Sequence, residues 1–112
     1  MSNIVVYVVQ PCGKVKTLHI PNTLDGIYNT IGCNNLEYVP LDSTVFKGLH
    51  AYVDGIGLYK QLPINNILQN HNHGGYFGNI LFSRVDVVTG DETGVSAMDM
   101  HLLDKILFWE TH

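Results

Sequence analysis

Ile4-Val5-Val6-Tyr7-Val8-Val9-Gln10-Pro11-Cys12-Gly13-Lys14-Val15-Lys16-Thr17-Leu18-His19-Ile20 sets two extended runs around a turn, and its reading decides the fold. The first run is apolar on both faces and rich in β-branched residues, the pattern of a strand covered on each side rather than an edge. Pro11 presets turn backbone and Gly13 tolerates a positive φ, so residues 14–20 return as an antiparallel partner. The same apolar run is too short for a signal core, lacks a basic lead-in and is followed by no small-residue cleavage pattern.

Beyond the hairpin, Pro21 stops the strand and Asn22-Thr23-Leu24-Asp25 offers a helix cap with an acidic first turn. Leu24, Ile27, Tyr28 and Ile31 share one helical face, and Gly32 stands where a left-handed C-cap is wanted. Leu36 to Val39 and Val45 to Val53 read as strands, followed by a tight turn at Asp54-Gly55-Ile56-Gly57. Residues 61–75 read as an irregular excursion with one helical turn around Ile64 to Leu68, and residues 76–88 as a strand. Ser96 with Asp99 caps a last helix through about Glu110, striped by Met100, Leu103, Ile106 and Leu107. The expected fold class is α+β: one domain over residues 1–112, with a mixed or mostly antiparallel sheet of about five strands and two packed helices, in the order ββαββ…βα. A β-grasp-like arrangement is the alternative.

With 46% hydrophobic and 14% charged residues in 112, the chain can bury one core and is no disordered tail. A formal net charge of −4 argues against a phosphate-backbone footprint, so nucleic acid is not an expected partner. The charge is also too mild for a DNA mimic. No run approaches the ~20 apolar residues that span a bilayer, so the expected location is the cytoplasm, without a membrane partner. Cys12 and Cys33 lack CxxC spacing and read as two reduced thiols, although the sequence leaves their pairing open.

His71 and His73 lie on one side of an extended segment, as two metal ligands would, but zinc needs three or four. His50, His101, Cys33 and Asp54 have no diagnostic spacing to the pair, so neither a metal nor another cofactor is expected. Gly74-Gly75-Tyr76-Phe77-Gly78 could expose backbone N–H groups to an anion, yet a strand follows the glycines where phosphate loops need a helix. Spacing places neither Cys33 nor Ser83 in a nucleophilic triad, so no catalytic residue is assigned. Asp91 and Glu92 read as solvated loop carboxylates, Asp99 as a cap and Asp104 as the exposed face of a helix. Tyr52, Tyr59 and Tyr76 lie near turns, where rings can anchor a partner.

Asp54-x-x-Gly57-Leu58, Leu62-Pro63-x-Asn65 and Gly78-Asn79, after a hairpin and the Thr23-Leu24-Asp25 helix start, form a pattern over residues 4–88. It resembles a family of small domains of unknown function carried by bacteriophages, plasmids and related mobile elements. His71-Asn-His73-Gly-Gly lies outside that pattern. The resemblance implies an accessory protein working in a host cell's cytoplasm, of the kind that counters host defence by sequestering a nucleotide signal or by docking on a host protein. One expectation is therefore a non-enzymatic binding domain for a small anionic or nucleotide-like ligand. In it Asn65, His71, His73, Gly74 and Gly75 recognise the ligand, Tyr76 stacks on a base, and Arg84 or Lys60 neutralises charge. The alternative is a protein-interaction module that docks on a host protein or forms a homo-oligomer. A metal-dependent hydrolase using His71 and His73 ranks last.

Overall fold

The hairpin forms as its turn chemistry dictates: β1 (Asn3–Val9) pairs antiparallel with β2 (Val15–Pro21) from Asn3↔Pro21 to Val9↔Val15. The structure is a computed structural model and describes residues 3–33, 35–41, 48–57, 59–65, 76–86 and 88–110, with side chains to residue 105. Ile4, Val6 and Val8 of β1 are buried on one face and Tyr7 and Val9 on the other, as an apolar run without alternation requires. Helix α1 (Leu24–Ile31) starts at Thr23, whose side chain accepts from the Gly26 N–H, and ends at Gly32 with φ 82°. Strands β3 (Leu36–Pro40) and β4 (Leu49–Asp54) follow, then the short β5 (Ile64–Asn65) and β6 (Tyr76–Phe77), β7 (Ile80–Arg84) and α2 (Ala97–Glu110).

Five strands form one sheet in the order β2-β1-β7-β4-β3, and β5 pairs with β6 in a second small sheet. Every strand pairing among the described residues is antiparallel. The fold is α+β, and its antiparallel central pairs depart from the β-grasp-like alternative, which needs a parallel pair in the middle. On one face Tyr7, Val9, Leu49, Ala51, Val53, Ile80 and Phe82 pack with Val95 and Leu103 of the C-terminal region. On the other, Ile4, Val6, Val8, Ile20 and Leu81 pack under Ile27 and Ile31 of α1. No helix among the described residues is long and apolar enough to cross a membrane. Cys12 is exposed, Cys33 is buried and both are free thiols.

Several expected boundaries shift for local reasons. The strand expected over residues 76–88 is two strands, because Gly78 takes φ 95° and its N–H bonds to the Pro63 carbonyl. A Cβ there would meet the Leu62 Cδ1 at 2.9 Å, which that side chain can relieve by moving, so it is the positive φ that favours glycine at this turn. The far end stops at Arg84, where Asp86 starts a turn by accepting from Val88 N–H with its side chain and Gly90 N–H with its carbonyl. Ile64, expected in a helical turn, pairs with Phe77 as a strand instead, and residues 66–68 of that turn lie outside the described residues. Residues 45–47 of the expected Val45 strand also lie outside them.

The caps hold as read. Ser96 and Asp99 exchange bonds at the start of α2, Ser96 N–H to Asp99 Oδ2 at 3.0 Å and Asp99 N–H to Ser96 Oγ at 3.1 Å. Asp104 is exposed on α2, as read, and in addition accepts the hydroxyl of Tyr7, a residue 1% exposed. Asp54 fixes the turn after β4 by accepting from Ile56 N–H at 3.0 Å and Lys60 Nζ at 2.7 Å.

Candidate functional site

Strand geometry places His50 and Tyr52, two residues apart on β4, on the same face of the sheet as α1. Register then sets Ser83 of β7 opposite His50, and Tyr38 of β3 opposite Tyr52. After β7 the chain doubles back, and Val85 bridges Glu92 so that both point to that face. The returning segment wedges beside β1, where Val95 N–H donates to the Val5 carbonyl at 2.8 Å.

Glu92 is the hub of the group. Its Oε1 accepts from His50 Nε2 at 2.8 Å and from the Tyr52 hydroxyl at 2.5 Å, and its Oε2 accepts from Ser83 Oγ at 2.9 Å. His50 is 1% exposed and Ser83 fully buried, whereas the Glu92 side chain keeps 19% of its surface. Above them Tyr38 is 52% exposed, its ring centroid 4.9 Å from that of His50 and 5.8 Å from that of Tyr52. His50 and Tyr52 themselves meet edge to face at 5.0 Å. No buried side-chain nitrogen or oxygen among the described residues lacks a hydrogen-bond partner. Glu92 was expected to be a solvated loop residue; the Val85 bridge carries it onto the sheet instead.

Burial pushes the Glu92 carboxyl up, but the bonds from His50, Tyr52 and Ser83 and the His50 charge overcome it and hold it below the usual carboxylate range. Asp99 behaves alike: burial raises it, and Arg84 with Ser96 brings it lower. Burial, reinforced by an acceptor carboxylate, pushes the hydroxyls of Tyr7 and Tyr52 well above the ordinary tyrosine value. A depressed carboxyl stabilises the fold above its unfolded value and loses that contribution as pH falls; a raised tyrosine contributes below ~10 and loses it as pH rises. Thermal unfolding should therefore show a plateau from about pH 5 to 9 with losses on both sides. Glu92→Gln should shrink the acid limb, and an unchanged limb would contradict the role given to Glu92.

The residues expected to form a binding site are divided. Asn65 and Tyr76 are direct partners in the β5–β6 ladder. Asn65 is 2% exposed, and its amide donates to the carbonyls of Val9 at 2.9 Å and Gly78 at 3.1 Å. Arg84 sits at the opposite end of β7 from Gly78, where Nε and Nη2 grip the Asp99 carboxylate at 2.8 and 2.5 Å. His71, His73, Gly74 and Gly75 lie outside the described residues. No group of three or more His, Cys, Asp or Glu among the described residues is placed to hold a metal ion.

Beside β5 lies a shallow hollow of about 510 Å³ lined by Gln10, Pro11, Cys12, Pro63, Ile64 and Asn79. Its walls are prolines, a thiol and an isoleucine, with two carboxamides to read a polar edge. A second hollow, about 480 Å³, runs along α1 past Pro21, Thr23, Asp25, Gly26, Asn29 and Thr30. Two of its hydroxyls serve the helix: Thr23 accepts from Gly26 N–H and Thr30 donates to the Gly26 carbonyl.

Among known proteins, the model of one family, DUF3846, a domain of unknown function, matches residues 1–107. No curated protein and no solved structure matches the chain.

Proposed function

Because this chain belongs to the DUF3846 family, a domain of unknown function, we propose its role from its own geometry: a non-enzymatic recognition domain that binds a small nucleotide-like ligand beside β5. The observation that carries this reading is the hollow of about 510 Å³ between the Gln10-Pro11-Cys12 turn and Pro63-Ile64. Its volume falls within the few hundred to ~1,000 Å³ of small-molecule sites. Apolar walls of two prolines and an isoleucine, with carboxamides at Gln10 and Asn79, suit a heterocyclic base, which needs apolar contact and a hydrogen-bonded edge. Asn65 and Tyr76, which pair across the β5–β6 ladder, flank residues 66–75 in the sequence, and Ile64 beside Asn65 lines the hollow. In this reading, His71, His73 and the Gly74-Gly75 backbone supply the contacts to an anionic group.

A recognition role rather than catalysis is supported by how the acid–base side chains are used. Glu92 accepts from three side chains, and Asp99 is held by Arg84 and the α2 cap. In the mobile-element setting that the sequence resemblance implies, such binding would sequester a host nucleotide signal.

Calorimetric titration with a panel of cyclic and linear nucleotides tests the reading. Saturable heat is expected with at least one of them. Ile64→Asp, at a position 41% exposed, should weaken it about tenfold, a change of ~1.4 kcal/mol. No heat with any nucleotide would sink the proposal. A second reading, docking on another protein, is favoured by one observation: the half-exposed ring of Tyr38 on the open part of the sheet.

A further inference from the structure

The α1 face of the sheet is unevenly covered. Helix α1 packs on β2 and β7, and at the other side of that face the ring of Tyr38 on β3 stands 52% exposed. The β3 strand ends the sheet, pairing with β4 on its inner side.

Three rings meet there. Tyr38 and Tyr52 are inclined at 63°, His50 and Tyr52 at 86°, and Tyr38 and His50 at 39°, every pair within 6 Å. The exposed ring among them, that of Tyr38, offers a cation the negative quadrupole of its face. The Tyr52 hydroxyl donates to a carboxylate, which leaves its ring more electron-rich. Behind the rings, Glu92 receives two bonds on Oε1 and one on Oε2. A carboxylate offers about four lone-pair sites, so Glu92, with three bonds accepted, can take a further donor, and its side chain remains 19% exposed. The chain's formal charge of −4 adds a field of the same sign.

We infer that this corner receives the guanidinium of an arginine presented by a partner protein, stacked on Tyr38 and donating to Glu92. Arginine fits better than lysine, because a planar, weakly hydrated guanidinium stacks on a ring and still offers N–H donors along its edge. The inference rests on the docking reading and names the chemistry of the partner. It is independent of the hollow beside β5.

The test is an amide-detected NMR titration with the acetylated, amidated tripeptide Ala-Arg-Ala and its citrulline analogue, a neutral isostere. The arginine peptide should give saturable shifts at Tyr38, His50, Tyr52 and Glu92, and citrulline should bind at least about fivefold more weakly. Tyr38→Leu, at an exposed position that leaves the fold intact by circular dichroism, should weaken the arginine peptide about fivefold, while Tyr38→Phe retains it. Equal binding of citrulline overturns the cation chemistry but leaves this face a docking surface. No shifts on this face with either peptide overturn the docking reading there as well, and unchanged affinity in Tyr38→Leu removes the stacking on which the inference depends.

Discussion

Replacing Glu92 with leucine is expected to cost about 3–5 kcal/mol of folding stability, because three donors lose their common acceptor. His50 is 1% exposed and Ser83 fully buried, so neither can turn to water. Tyr52 is only half-buried and recovers part of its loss through solvent. A buried donor left without a partner costs about 1–3 kcal/mol. For a domain with ~5–15 kcal/mol in hand this is a large fraction, and the thermal midpoint should fall by ~15 °C or more. Glu92→Gln keeps one oxygen for His50 and Tyr52 and offers Ser83 an N–H, so its cost should stay near 1–2 kcal/mol. A leucine variant as stable as the parent would mean that the network holds nothing in place.

Gly94→Ala should be of similar size through a different mechanism. Gly94 has φ 77°, and a Cβ there would stand 2.7 Å from the Val5 carbonyl oxygen, 2.8 Å from Val5 N and 3.1 Å from Ile4 Cβ. The obstacle is the backbone of β1, paired with β2, so it cannot yield as a flexible side chain does. The methyl must push the returning segment outward, breaking the Val95–Val5 bond and lifting Val95 from the core. Gly90→Ala is the control: its φ is 80° but nothing lies within 4 Å of the added Cβ. That variant should show the left-handed strain alone, ~1–2 kcal/mol, and Gly94→Ala at least twice as much. Equal costs in chemical denaturation would show that close approach to β1 is unimportant.

Both substitutions fall in residues 92–95, the part of the fold least visible in the sequence. The hairpin, both helices and their caps were legible because each is written within a few residues. Pro11 and Gly13 set the turn, Thr23 serves Gly26, and Ser96 serves Asp99. Glu92 was not legible, because two of its three side-chain partners, Tyr52 and His50, lie 40 and 42 residues away. Set among Gly90, Asp91, Thr93 and Gly94, it has the local surroundings of a solvated turn. One signal was available: His50 and Tyr52 sit two apart on a strand whose other residues are mostly apolar, and so declare a polar face that needs a partner. Tyr38 needed the β3–β4 register to join them.

The expected binding residues divide for the same reason. Asn65 and Tyr76 are eleven positions apart and become ladder partners, which nothing local announces. Arg84 is claimed by Asp99, fifteen residues on, at the start of α2. The motif Leu62-Pro63-x-Asn65 carries a structural task, since Asn65 ties β5 to the end of β1 and to Gly78. It thereby sets Pro63 and Ile64 along the hollow.

Titration of the labelled protein with cyclic and linear nucleotides, followed by amide NMR, tests the recognition role most directly, because it reports both binding and place. The account predicts saturable shifts with at least one nucleotide, centred on Gln10, Cys12, Ile64 and Asn79. Spectra unchanged by every nucleotide, or shifts centred away from these residues, would contradict it.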